Sequence, residues 1–362
     1  MPELPEVETV KRGLNQVTLH QTITGGDVLL DRTIAHPSSM QDFLAGLQGT
    51  AIAQWHRRGK YLLAELEKPA ARGQNSGDEG VRSRNLEGKE DKEDREEVQN
   101  SVRLTHRKPK FGSADSPEAK IQNSPTLQSP IINHPSPPSS PSSPCPSPRS
   151  PLTPAYLGVH LRMTGQLLWV TPDTPLPKHT RVRLFFEGDR ELRFVDQRTF
   201  GQMWWVPPEV TPETIITGLQ RLGPEPFSDE FSIAYFTQCL KNRQRPIKNA
   251  LLDQAIVAGV GNIYADEALF LSGIRPQTLC TRLNRKQIQQ LHANIRLVLA
   301  ASIEAKGTTF SSFRSVDGVN GNYGGIAWVY ARDGEPCRTC GMVIERLKLA
   351  GRSAHFCPKC QR

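Results

Sequence analysis

At 362 residues, 37% of them hydrophobic, the chain is long enough for two domains with real cores. No apolar run is long enough to cross a bilayer, and the start lacks the basic-then-apolar pattern of a secretory signal, so membrane-spanning and secreted classes are set aside and a cytoplasmic protein is expected. The net charge of +8 favours a polyanionic partner such as nucleic acid, and residues 69–154 hold 12 Lys+Arg against 11 Asp+Glu, so the excess sits almost wholly on the remainder.

The chain opens Met1-Pro2-Glu3-Leu4-Pro5-Glu6. Removal of Met1 would leave Pro2 as an N-terminal secondary amine, with a pKa of about 8 if unperturbed. Such an amine is a nucleophile near neutral pH. Attack on a sugar anomeric carbon would give a charged iminium, with Glu3 adjacent to exchange protons. The same residues also fit a plain helix start, since Pro and acids favour the first turn and Val7, Val10 and Leu14 make an apolar stripe along residues 5–16.

Thr22–Leu30 and Thr50–Leu66 contain short, partly alternating apolar runs expected to be strands. The basic cluster Arg57-Arg58-Gly59-Lys60 fits a hairpin turn whose tip displays cations, either for a ligand or simply to solvent. From 69 to 154 the composition changes: 14 of the 29 prolines fall here, with a charge run at Glu87–Glu97 and a Pro/Ser tract from Pro135. Too little apolar surface is available to offset ordering, so a disordered insertion is expected, and closing such a loop between two strands costs little.

Strand-like sequence resumes at Leu157–Leu161 and continues through Trp205, interrupted by His160-Leu161-Arg162-Met163-Thr164-Gly165, Lys178-His179-Thr180-Arg181 and Asp196-Gln197-Arg198-Thr199-Phe200-Gly201. Pro212 to Lys306 reads as helical. Within it Pro246 opens a helix, Gly259 and Gly261 break it, and another begins near Asn262. Glycines at that turn let backbone N–H groups approach a phosphate, or else form an ordinary helix cap. A Gly/Asn/Ser-rich stretch from Gly307 to Gly325 is expected to be a mobile loop.

Two Cys-x-x-Cys pairs, Cys337/Cys340 and Cys357/Cys360, close the chain. Two such knuckles bring four thiolates to one tetrahedral zinc, and four sulfurs leave no position for water, so one structural zinc ion is expected. A redox pair is the alternative. Between the knuckles a β-hairpin would carry Arg346, Lys348 and Arg352, the last able to grip a phosphate or to stand solvated. Cys239 and Cys280 are expected to be buried thiols, and Cys145 a bystander in the Pro/Ser tract.

The run Pro2-Glu3-Leu4-Pro5-Glu6-Val7-Glu8-Thr9-Val10 resembles the N-terminus of the formamidopyrimidine-DNA glycosylase family, bacterial enzymes that excise oxidised purines. The resemblance continues through Arg57–Leu63, His160–Leu167, Arg243–Glu267 and the cysteine module, and covers nearly everything outside 69–154. It implies that Pro2 is the Schiff-base nucleophile and Glu3 a general acid, with Lys60 and Arg352 holding phosphate and assisting elimination. Met163, Arg198 and Phe200 would fill the gap left by a flipped nucleotide, with His179, Asn262 and Lys248 on the DNA backbone and Arg243 and Arg245 as further contacts. Thr199 departs from an arginine common there, and Ser311 from a lysine in some members. The family has only a short turn in place of the insertion. In the sister family of endonuclease VIII type, which prefers oxidised pyrimidines, glycine usually replaces Leu4.

The fold implied is α+β, with an N-terminal β-sandwich carrying the catalytic N-terminal helix (1–68 and 155–208) around the insertion 69–154. A helix-two-turns-helix domain (209–306), a lesion-recognition loop and linker (307–330) and a zinc-finger β-hairpin (331–362) follow. The expected partner is double-stranded DNA containing oxidised purines, acted on by a monomer. A non-catalytic zinc-ribbon DNA-binding protein remains the alternative from another class.

Overall fold

Helix α1 (Leu4–Val17) divides its apolar residues between two cores. Pro5 occupies its first turn, where a missing N–H leaves nothing unpaired. Leu4 is buried among helices, whereas Val7, Val10 and Leu14, about one, two and three turns on, are buried against strands. The computed structural model describes residues 2–68, 153–308 and 323–362. The expected insertion lies outside these apart from Thr153 and Pro154, as do Cys145 and residues 309–322 of the expected loop, Ser311 among them.

Two sheets share the strand-side core. The four-stranded sheet has the order β1 (Ile23–Val28), β7 (Thr180–Phe186), β8 (Arg190–Asp196), β6 (Gly165–Val170), all antiparallel. The five-stranded sheet runs β2 (Ile34–His36), β9 (Gln202–Val206), β5 (Ala155–His160), β4 (Tyr61–Glu67), β3 (Ala51–Arg58), with only the β2–β9 pair parallel. The short strand β2 and helix α2 (Met40–Leu47) are additions to the expected elements. Ser39 caps α2 by accepting the Asp42 N–H at 3.2 Å, and Phe43 and Leu47 bury into the sandwich.

Strand β4 is covered on both faces. Leu62, Ala64 and Leu66 enter the sandwich core, while Tyr61 and Leu63 alternate to the other side. There they meet Ile216 and Leu219, at the short helices α3 (Pro212–Ile215) and α4 (Thr217–Gln220).

The helical core is built by α5 (Ile233–Leu240), α6 (Ile247–Leu251), α7 (Asn262–Leu271) and α8 (Arg285–Glu304). Asn284 and Gln287 form a reciprocal capping box that starts α8. Cys280 is buried in this core and Cys239 packs partly buried against it. Strands β10 (Glu345–Leu349) and β11 (Arg352–Phe356) form the terminal hairpin, turning through Ala350 and Gly351 at φ 44° and 81°. Its small core joins Phe270 of α7 to Val329, Ile344 and two of the cysteines. No helix among the described residues is long and apolar enough to cross a membrane.

Candidate active site

Pro2 and Glu3 lead into α1, and both are buried. The Glu3 carboxylate is 1% exposed. Its Oε1 accepts the Ile263 N–H at 3.0 Å and its Oε2 lies 3.5 Å from the Tyr264 nitrogen, so it sits on the positive N-terminal end of α7. Burial raises the proton affinity of Glu3; the Lys60 ammonium opposes this, and neighbouring Glu6 adds to it. The net direction is upward, toward a carboxyl able to hold and release a proton.

The glycines of the α6–α7 turn serve this approach. A Cβ on Gly261 would stand 2.2 Å from Glu3 Cδ, and one on Gly259, at φ 86°, would stand 2.6 Å from Leu4 Cδ1. The start of α1 packs against both glycines, joined by the Leu4 N–H to Gly259 carbonyl bond of 3.1 Å.

Glu6 is the hub that the sequence reading missed. It is 1% exposed; its Oε2 accepts the Glu3 N–H at 2.8 Å, and its Oε1 accepts the Tyr264 hydroxyl at 2.6 Å and the Thr308 N–H at 2.8 Å. The signal for it was the three-residue spacing from Glu3, which is that of a capping box. For Tyr264, whose hydroxyl also meets Ser302 at 2.6 Å, no local signal existed.

Lys60 follows the β3–β4 turn at Gly59, whose φ is 56°. It is 8% exposed, so the expected tip of displayed cations is corrected. Arg57 bonds Glu8 at 2.9 Å and Glu225 at 2.6 Å, while Glu225 also takes Arg58 at 3.1 Å and the Gly59 N–H at 2.6 Å. The turn is therefore clamped by Glu225 rather than solvated. Burial lowers the Lys60 amine below the ordinary lysine value, Glu3 opposes that, and Arg352 reinforces it. His160, opposite Tyr61 in the β4–β5 register and edge-on to its ring at 4.4 Å, was likewise missed. Burial, Arg162 and Lys60 push its pKa down to about 3, so it is a neutral imidazole.

Apart from Asn262 and Lys248, the remaining expected contacts divide into three groups. Met163 (36% exposed) and Phe200 (51% exposed) stand on neighbouring turns, with the Arg198 guanidinium 5.0 Å over the Phe200 ring. His179 is half-buried beside Arg181, with 3.2 Å between its Nδ1 and Arg181 Nη2. Arg243 and Arg245 both face Asp253, at 3.6 and 2.6 Å, and Arg245 and Arg352 line the same cleft between α6 and the terminal hairpin.

Asn262, first residue of α7, has its side chain beside Tyr330 and keeps a buried Oδ1 without a partner among the described residues. Lys248 takes protein partners. Expected on phosphate, it is fully buried, paired with Asp266 at 2.6 Å and donating to the Ser353 carbonyl at 2.5 Å. Asp266 also accepts the His355 N–H at 3.0 Å, so this pair fastens β11, and with it Arg352, to the helical core.

The four cysteine sulfurs lie within 4.8 Å of one another. Cys337 and Cys360 sulfurs are 3.9 Å apart and those of Cys340 and Cys357 3.4 Å. A tetrahedral zinc with Zn–S bonds of about 2.3 Å requires sulfurs about 3.8 Å apart, so the set fits one structural zinc ion.

Residues 1–106 and 149–203 match the formamidopyrimidine-DNA glycosylase N-terminal domain, 222–314 the formamidopyrimidine-DNA glycosylase H2TH domain, and 334–362 a zinc finger found in FPG and IleRS. The formamidopyrimidine-DNA glycosylase of Nostoc sp. (strain PCC 7120) is 53% identical, with 100% of each chain covered, and that of Acaryochloris marina is 52% identical over 100% of this chain and 99% of its own. The Thermus thermophilus MutM (FPG) crystal structure superposes with a TM-score of 0.69 at 31% identity, covering 99% of this chain and 98% of that one. A Lactococcus lactis Fpg in complex with an abasic site containing DNA gives 0.71 at 26% identity, with 99% of both chains covered. The chain belongs to the formamidopyrimidine-DNA glycosylase family, the DNA glycosylases with AP lyase activity of base excision repair.

Proposed function

We propose that this chain, acting as a monomer in the cytoplasm, removes oxidised purines from double-stranded DNA through the amine of Pro2. With Met1 removed, the Pro2 nitrogen attacks C1′ of the damaged nucleotide and the glycosidic bond breaks, the base leaving with a proton. Opening of the C1′–O4′ bond, with a proton delivered to O4′, turns the adduct into an iminium that acidifies C2′; loss of that proton expels the 3′ phosphate, and a second elimination expels the 5′ phosphate. Glu3 shuttles protons at the sugar, for which its raised pKa suits it. Lys60 and Arg352 hold phosphate, and Met163, Arg198 and Phe200 occupy the vacated stack. In this reading 1–68 and 155–208 form the catalytic domain, and 209–306 and 331–362 the second wall of the DNA cleft.

The observation that carries the reading is the junction of three elements at Glu3: the start of α1, the N-terminus of α7 and the turn bearing Lys60. The test is borohydride trapping on a duplex carrying 8-oxoguanine opposite cytosine, with the adduct located by mass spectrometry. DNA linked to the Pro2 peptide is the expected result. Trapping only on an oxidised pyrimidine would overturn the purine assignment, and no adduct on either, with zinc and DNA bound, would overturn the chemistry.

A further inference from the structure

Asp196 ends β8 and is 1% exposed, yet the mechanism above gives it no task. Its carboxylate gathers donors from two separate turns. Oδ2 accepts the Gly201 N–H at 2.7 Å; Oδ1 takes the Thr164 hydroxyl and lies 3.3 Å from the Arg198 nitrogen. The Thr164 oxygen in turn accepts the Arg198 N–H at 2.9 Å. Gly165, next to Thr164, is the register partner of Asp196 across β6 and β8.

The backbone of the same residue reaches a third turn. Its N–H donates to the His179 carbonyl at 2.9 Å, and its own carbonyl accepts Arg181 Nε at 2.8 Å. Three turns, carrying Met163, His179 and the Arg198–Phe200 pair, thus meet on one residue. Both outer turns hold a non-glycine residue in the left-handed region, Arg162 at φ 53° and Thr199 at φ 56°, a conformation that bulky and β-branched residues avoid unless it is imposed.

We propose that Asp196 is the positioning residue that fuses these turns into one rigid wedge, setting Met163 against Arg198 and Phe200 before DNA arrives. This rests on the proposed role of those three side chains in the DNA stack. A wedge that must enter a base step gains from being preformed, because ordering it during entry would subtract from binding and misplace the flipped nucleotide. The buried carboxylate does this with charge-assisted bonds to backbone N–H groups, which hold backbone rather than side-chain positions.

The test compares two reactions. In single-turnover excision of 8-oxoguanine from duplex, Asp196→Ala and Thr164→Val are each expected to slow the reaction by about tenfold or more. Cleavage of a single-stranded oligonucleotide bearing a preformed abasic site, which has no stack to enter, should stay within about twofold of the parent. Thr164→Ser, which keeps the hydroxyl, should restore duplex excision, and the double variant should be no worse than Asp196→Ala, because both break one link. Should Asp196→Ala misfold, Thr164→Val alone carries the test. Equal losses on both substrates would make Asp196 a fold-stabilising residue only, and parent-like duplex excision would remove the inference. Met163→Ala separates the levels: if it is slowed while the Asp196 and Thr164 variants are not, only this inference falls, whereas if it too is parent-like the wedge reading falls with it.

Discussion

Glu3 and Gly261 are packed so closely that a single methyl on Gly261 would lie 2.2 Å from Glu3 Cδ and 2.5 Å from its Oε1. Residues distant in the chain thus share one van der Waals surface, and the missing side chain of one sets the place of the other.

Gly261→Ala must therefore push Glu3 from the Ile263 N–H or tilt α7 away from it. Glycosylase activity is expected to fall by at least about hundredfold, the effect of ångström-scale misplacement. Zinc content should not change. Activity within about twofold of the parent would show that the contact is soft.

Lys60 is held in a site that disfavours its ammonium, and the sign of the resulting pH dependence can be stated. Its folded pKa lies below the ordinary 10.5. At pH values below the folded pKa both states are charged but only the fold must bury the charge, so the penalty is fully present. It shrinks as pH rises from the folded value and is gone above 10.5. Glu3→Gln/Lys60→Met should accordingly be more stable to urea than Glu3→Gln at neutral pH, with the gap closing as pH rises. The shared Glu3→Gln background removes the change in Glu3 ionisation, and a gap that widens with pH would refute the sign.

Lys248 and Arg352 separate structural from ligand-facing cations. Arg352→Ala should reduce the salt slope of DNA binding by about 0.9, one phosphate contact. Lys248→Met should leave the slope unchanged but lower stability by about 3–5 kcal/mol, since Asp266 would stay buried without its cation. A reduced slope in Lys248→Met with native stability would return that residue to the phosphate.

Chelation of zinc, or Cys340→Ser, disrupts the four-sulfur site on which the small core of Phe270, Val329 and Ile344 depends. Metal binding of this kind contributes on the order of 10 kcal/mol to folding of its module. Near-ultraviolet circular dichroism from Trp328, stacked on Phe270 at 5.7 Å, should collapse together with DNA affinity, while the sandwich retains its strand signal. Retained DNA affinity in the metal-free protein would detach Arg352 from the DNA reading.

What the chain states locally was legible from the chain alone. Pro2 beside Glu3, the hairpin at Gly59, the apolar periods of α1 and α8, and the spacing of the four cysteines are short-range chemistry, set by neighbours within a few residues. The pattern even carried Glu6, three residues from Glu3, though only as a helix cap. Nothing local could decide which cations face solvent. Arg57 and Arg58 look like Lys60 in sequence, yet Glu225, far along the chain, takes both. Lys248 reads as one more base on a DNA-binding helix until Asp266 and Ser353 close around it. The meeting of three turns on Asp196 likewise has no sequence signature. Burial and ion pairing depend on which distant segments share a surface, and that is decided when α1 commits Leu4 to one core and Val7 to the other.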